Sequence, residues 1–274
     1  MSNNLRLTAA VFFLFTVCSA HAAPLQKHTF EISTERSLIR YKEPGVMKEE
    51  GWMGGIGYAY TYRGWLPFFN QDDQKGMVMA EGRSAWGQVD YTGSGTLDNI
   101  DDALFEGRLT AGYEFSFTQQ VTVLPFFGFG YRYLNDDMGG RVTSTGAHGY
   151  ERESNYYYSP VGVFVEKPLA HEMSVRACFE YDHFWQGRQI SHLSNVAGYS
   201  DVRNKQQKGF GLRSSVRVKK RVKRWDLFIE PFARYWNIKR SKESEVIYNG
   251  FVSGTGIEPK NNSLEAGIRL GAAF

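Results

Sequence analysis

Ser263-Leu264-Glu265-Ala266-Gly267-Ile268-Arg269-Leu270-Gly271-Ala272-Ala273-Phe274 closes the chain, and its reading decides the fold. From Leu264 onward every second residue is apolar: Leu264, Ala266, Ile268, Leu270, Ala272 and Phe274. Ser263, Glu265, Gly267, Arg269, Gly271 and Ala273 stand between them. Successive side chains of a β-strand point to opposite faces. As a strand, this stretch has one wholly apolar face and one polar or small face.

The same period of two recurs upstream. Trp52 to Arg63 sets Trp52, Ile56, Tyr58, Tyr60 and Tyr62 against Met53, Ala59, Thr61 and Arg63, with Gly55 and Gly57 on the second face. Phe105 to Thr118 sets Phe105, Leu109, Tyr113 and Phe115 against Glu106, Arg108, Gly112 and Glu114. Val121 to Leu134 sets Phe127, Phe129, Tyr131 and Tyr133 against Gly128, Gly130 and Arg132. Val175, Phe179, Tyr181 and Trp185 oppose Arg176, Cys178, Glu180 and Asp182. Phe210, Leu212, Val216 and Val218 oppose Arg213, Arg217 and Lys219, and Trp225, Leu227, Ile229 and Tyr235 oppose Asp226, Glu230 and Arg234. Three weaker runs, near 29–41, 77–89 and 155–167, hold Ile32, Val78 and Val163. These runs predict an all-β chain of about ten antiparallel strands. Eight is the alternative, because the connection Gly64 to Gly76 is long for a turn.

Charge decides which face is inside. The polar faces carry eight acids (Glu106, Glu114, Glu166, Glu180, Asp182, Asp226, Glu230, Glu265) and seven arginines (Arg108, Arg132, Arg176, Arg213, Arg217, Arg234, Arg269). A soluble sandwich or barrel would turn its apolar faces inward and its charges to water, and this many charges point instead to a polar lumen with apolar faces on lipid. An Arg or Lys facing lipid near mid-membrane costs roughly 2–4 kcal/mol, which is why the apolar faces stay free of charge. Aromatics such as Tyr58-Tyr60-Tyr62 and Tyr131-Tyr133 gather toward strand ends, where an interfacial girdle sits.

In its alternating final strand and terminal Phe274 the chain resembles the Gram-negative outer-membrane β-barrel superfamily, departing at Ala272, where that family more often has a second aromatic. The resemblance implies a small monomeric transmembrane β-barrel in the outer membrane. It implies that Phe274 addresses the barrel assembly machinery, and that outer-membrane lipid and lipopolysaccharide surround the protein.

The N-terminus fits export. Met1 to Arg6 carries one positive charge and no acid, Leu7 to Val17 is mainly apolar, and Ala20-His21-Ala22 is a small-x-small cleavage pattern. Residues 1–22 are therefore read as a signal peptide and 23–274 as the barrel domain. Phe15-Thr16-Val17-Cys18 lacks the Leu and the small residue that precede a lipidated cysteine. Cleavage removes Arg6 from the 32 basic residues, leaving 31 against 29 acids and a net charge of +2. That balance gives no reason to invoke nucleic acid. Cys178 remains alone, so no internal disulfide forms. Long polar connections at 42–51, 90–103, 135–154, 187–208 and 239–262 alternate with short ones near 118–120, 168–172 and 220–224. This is the pattern of surface loops and periplasmic turns, with both termini periplasmic.

Four features bear on chemistry. His192-Leu193-Ser194-Asn195 is similar to the His-x-Ser-Asn stretch of outer-membrane lipid A deacylases, which implies a His192 base for a Ser194 nucleophile oriented by an acid. Val202 to Gly211 supplies no such acid, and two further strands follow. Tyr181-Asp182-His183 resembles the omptin proteases, ten-stranded barrels with an Asp/His pair, but adjacent strand residues point to opposite faces. Lys219 to Arg224 is a basic run expected in a solvated periplasmic turn. No His or Cys spacing marks a metal site, and no cofactor or catalytic residue is assigned. The last feature is the inward-facing charge, whose near balance predicts a side-chain-filled lumen. The expectation is a non-enzymatic barrel acting through surface loops. A narrow channel for small polar solutes is the alternative, and a barrel enzyme comes third.

Overall fold

The structure is a computed structural model that describes residues 26–66, 75–118 and 121–274. The expected signal at 1–22 and the core of the Gly64–Gly76 connection lie outside the described residues.

The strands are β1 (His28–Glu43), β2 (Met47–Gly64), β3 (Gly76–Gly93), β4 (Gly95–Tyr113), β5 (Phe115–Thr118), β6 (Val121–Asp137) and β7 (Glu151–Pro168). They continue as β8 (Met173–Ser191), β9 (Val202–Gln206), β10 (Gly209–Val222), β11 (Trp225–Ile238), β12 (Ser244–Tyr248), β13 (Phe251–Gly256) and β14 (Asn261–Ala273). Among the described residues, ten of these close a ring in the order β1-β2-β3-β4-β6-β7-β8-β10-β11-β14, every pair antiparallel. The count of ten, rather than eight, is settled by this ring. Short β5 extends the β4 edge of β6, β9 extends the loop end of β8, and β12–β13 is a separate hairpin.

Closure joins the two ends of the chain. Thr34 stands opposite Leu270 and Leu38 opposite Ala266 in the β1–β14 ladder. Phe30 and Phe274 exchange both backbone hydrogen bonds at 2.9 Å, so the last residue is part of the sheet. A closed barrel satisfies every ladder group internally, which is what a hydrocarbon environment demands.

Toward the termini the alternation is as the sequence predicts. Ile32, Leu109, Phe127, Phe179, Ile229 and Leu270 are exposed on the outside of the ring, while Glu106, Glu180, Asp182, Arg217, Glu230 and Glu265 are buried within it. Toward the opposite end, here called the loop end, the polarity inverts along the same strands. Ile39, Tyr41, Met53, Val89, Tyr91, Ile100, Leu104 and Leu134 form an interior apolar cluster, and Gln88, Asp90 and Asp101 lie outside.

This inversion corrects the expected loops. Most of 42–51 and 90–103 is strand: β1 turns into β2 through three residues, 44–46, and β3 into β4 at Ser94. Likewise β8 runs on to Ser191, and 239–262 contains the β12–β13 hairpin. The barrel wall continues beyond the lipid belt, and its connections are shorter than their polarity implied. The turn between β10 and β11 lies at the terminal end as expected, with Lys223 at φ +58° and the flanking Asp226 opposite Ala273. That turn is only Lys223 and Arg224, however: Lys219 to Val222 of the basic run belong to β10, and Lys219 and Arg221 pair with Asp226.

Candidate functional site: a bridged lumen and a loop-end cluster

Arginines span the bore. Arg83 on β3 donates to Glu35 on β1 at 2.6 Å, to Glu106 on β4 at 3.0 Å and to Glu265 on β14 at 2.8 Å. Arg108 on β4 forms a fork with Glu180 on β8, at 2.9 and 2.8 Å, although two strands of the ring separate them. Arg213 on β10 reaches across to Glu106 at 2.9 Å and holds Asp182 at 2.6 Å. Tyr158 donates its hydroxyl to Glu106 at 2.7 Å. Nearer the termini, Arg217 joins Glu31 at 2.8 Å and Glu230 at 2.7 Å. Forked, charge-assisted bonds of this kind are the strong and directional ones. A cavity of about 90 Å³ lies within the network, lined by Glu106, Arg108, Arg213 and Arg217 together with Arg176 and Arg269, and has room for a few waters.

The sequence named Glu106, Glu180, Asp182, Glu230, Glu265, Arg108, Arg213 and Arg217 as inward, and the fold brings them together. It missed Glu31, Glu35 and Arg83, which sit in the weak runs. Parity with Ile32 and Val78 was the available signal: an odd offset from an outward residue puts these three inside. It also missed a second group at the loop end. There Arg152 binds Asp136 and Glu49, each at 2.6 Å, and Glu43 at 3.0 Å. Tyr41 donates to Glu43 and Glu258, both at 3.1 Å.

The two enzyme-like motifs resolve differently from their families. Asp182 is fully buried in the lumen network and His183 is exposed on the outside, so no bulge brings them together. Ser194 donates its hydroxyl to Asp201 Oδ1 at 2.6 Å, and His192 Nδ1 meets Asp201 Oδ2 at 3.0 Å. The acid thus stands between serine and histidine, whereas a base-activated nucleophile needs the histidine in the middle. Asp201 lies one residue before Val202 to Gly211, the acid-free segment.

The remaining nitrogen of that imidazole faces β7. His192 Nε2 lies 3.4 Å from Glu153 Oε1, and ligand atoms of Glu151, Glu153 and His192 all fall within 4.8 Å of one another. Burial opposes protonation of His192, but the hydrogen bond and charge of Asp201 and the nearby Glu153 and Glu151 carboxylates outweigh it, and its pKa is raised. The Ser194 hydroxyl, followed by the His192 ring and the Ser194 backbone N–H, lowers that of Asp201 against the opposing effect of burial. The nearby β12–β13 hairpin exposes Phe251, at 78%, and Val252. It is tied to this loop by the rings of Tyr199 and Tyr248, which meet at a tilt with centroids 4.8 Å apart.

No family model matches the chain, and no curated protein matches it in sequence. Among solved structures it is similar to the outer membrane protease OmpT from Escherichia coli, with a TM-score of 0.61 at 10% identity over 90% of this chain and 96% of that one. The translocator domain of the autotransporter NalP from Neisseria meningitidis matches with a TM-score of 0.46 at 10% identity, over 92% and 89% of the two chains. Ail, the attachment invasion locus protein of Yersinia pestis, matches with a TM-score of 0.28 at 11% identity, over 90% and 99%. At these identities the likeness concerns fold, and the first match carries it. The closed ring, its outward apolar belt and that likeness agree: the chain has the fold of a ten-stranded transmembrane β-barrel.

Proposed function

We propose that the protein is a non-enzymatic, non-conducting barrel that presents its loop end to the cell's surroundings. The observation that carries this reading is the bridged lumen: Arg83, Arg108 and Arg213 tie β1, β3, β4, β8, β10 and β14 together across the bore. A ten-stranded barrel is only slightly wider than one whose side chains fill it, and far narrower than the roughly 16–18-stranded porins. The partners of this reading are lipid and lipopolysaccharide. Arg36 lies outside, against the Trp52 ring at 5.4 Å, and Arg40 and Lys42 follow on the same face of β1 at the level where lipopolysaccharide phosphates would meet the wall. The exposed Phe251 and Val252 add an apolar contact surface farther out.

Absence of a base on Ser194, and the engagement of Asp182 by Arg213, support the non-enzymatic part. The test is reconstitution into planar bilayers, where steady conductance should be absent; large uniform openings would overturn the reading in favour of a solute channel. Turnover of lipid A or of peptides by the purified barrel would overturn it in favour of an enzyme.

A further inference from the structure

We propose that Glu151, Glu153 and His192 form a binding site for a divalent transition-metal ion, with Zn²⁺ the best-fitting class, at the loop end of the β7–β8 ladder. The three side chains come from rigid places. Glu151 and Glu153 are two apart on β7 and so share its outer face. His192 directly follows β8, and its backbone N–H donates to the Glu151 carbonyl at 2.9 Å, which continues the ladder and sets the ring beside both carboxylates. Asn195 fixes the same corner from the other side, its side-chain oxygen accepting the Glu151 N–H at 2.9 Å.

The case for a cation rests on the orientation of the imidazole. With Asp201 at Nδ1, the proton belongs on that nitrogen, and Nε2 is left with its lone pair pointing toward two carboxylates. Nε2 is shielded from solvent and makes no hydrogen bond. A lone pair aimed at carboxylate oxygens is repulsive unless something positive lies between them. A proton can fill that role for Glu153 alone; a metal ion fills it for all three ligand atoms at once, since they lie within 4.8 Å of one another. Bonds of about 2.0–2.2 Å put tetrahedral ligand atoms roughly 3.3–3.6 Å apart, so small side-chain rotations of the glutamates would draw the set together on binding.

Asp201 holds the far side of the ring, at His192 Nδ1. A carboxylate that accepts the non-ligating N–H of a metal-bound histidine orients the ring and raises its basicity. Asp201 is itself held in place by the Ser194 hydroxyl at 2.6 Å and the Ser194 N–H at 3.3 Å. On this reading His192, Ser194 and Asp201 serve to aim a ligand, which gives the deacylase-like motif a role its geometry can perform. The imidazole selects against Mg²⁺ and Ca²⁺, which prefer all-oxygen shells, and favours Zn²⁺ and its neighbours. Three protein ligands leave at least one position for water or an external ligand. A bound ion would also pin the 193–201 loop to β7.

The experiment uses the full folded barrel in detergent, stripped with a chelator and titrated with Zn²⁺ against a competing chromophoric chelator. One equivalent should bind. His192→Gln should abolish it, Glu153→Gln should weaken it at least tenfold, and Asp201→Asn should weaken it by about 10–100-fold at unchanged stoichiometry. Heat-modifiable gel mobility checks that each variant still holds its barrel. Independently of any variant, Zn²⁺ should protect His192 of the unaltered protein from carbethoxylation. Absence of stoichiometric Zn²⁺ uptake, uptake that survives His192→Gln, or His192 labelling that is indifferent to Zn²⁺ would each overturn the site.

Discussion

Gly130 stands opposite Tyr158 across the β6–β7 ladder, and a Cβ at Gly130 would meet the Tyr158 ring at 2.3 Å. The glycine is thus the space in which a fully buried tyrosine lies flat and reaches Glu106. Gly130→Ala should push the ring away, weaken the Tyr158–Glu106 bond and cost about 1–3 kcal/mol, the usual range for overpacking. Urea unfolding of the folded barrel in lipid measures this. Gly107→Ala makes the control, because its Cβ would meet nothing closer than Phe105 at 3.7 Å. Equal losses in the two variants would mean that the tyrosine is not held by that gap.

Neighbouring residues of β14 offer a test of the two faces. Leu270→Arg places a charge against lipid, at roughly 2–4 kcal/mol near mid-membrane. Arg269→Leu removes one partner of Glu35, which keeps Arg83 at 2.6 Å, and one of Glu230, which keeps Arg217 at 2.7 Å. The folded fraction on heat-modifiable gels should fall sharply for Leu270→Arg and little for Arg269→Leu. The opposite order would reverse the assignment of inside and outside.

Arg83 is among the most connected arginines of the bore. Glu35, Glu106 and Glu265 all converge on it. Arg83→Met should cost about 1–3 kcal/mol, because three buried carboxylates lose a charged donor while Arg269, Arg213 and Arg234 keep Glu35, Glu106 and Glu265 paired. Combined with Arg213→Ala it should also turn an electrically silent barrel into a leaky one. A double variant that folds and stays silent in planar bilayers would show that other side chains close the bore.

Proton linkage at the loop has a definite sign. The His192 pKa is raised above its ordinary 6.5, so its contribution is complete below that value and is lost as pH rises through the raised one. The Asp201 pKa is lowered below 3.8, so its contribution is present above that value and fades as pH falls through the lowered one. In metal-free protein the 192–201 loop should be best protected in mildly acid solution and should loosen on the alkaline side. Hydrogen exchange of this loop against pH reads the change. The alkaline step should vanish in His192→Gln, and a step that persists there would assign it to another group.

How far the fold was legible follows from where the chain meets lipid. The run 225–238 matched β11 from end to end, because Trp225, Leu227 and Ile229 outside and Asp226, Glu230 and Arg234 inside form a sharp binary code. Beyond the lipid belt that code reverses. Asp90 and Lys42 turn outward while Val89 and Tyr41 turn inward, and a reader expecting apolar residues outside sees only polar sequence and assigns loops. The candidate site was less legible still. Glu151, Glu153, His192 and Asp201 carry no mutual spacing that marks a ligand set, and only the pairing of β7 with β8 and the return of the chain at Asp201 bring them together. Arg83 and Glu35 fell between these cases, written in runs whose alternation was too weak to read without the ring.

The reversal of polarity along β1, β3 and β4 has a mechanical consequence. A strand that was apolar outside over its whole length could slide along the membrane normal at little cost. Here a downward slip would carry Gln88 and Asp90 into hydrocarbon, and an upward slip would lift Ile32 and Leu270 into water. Each wall strand therefore carries its own waterline. Because the ring is closed and braced from within, the barrel cannot flex to follow a thinner or thicker bilayer. In membranes of different thickness its depth should hold constant, and the lipids around it should stretch or compress to meet it.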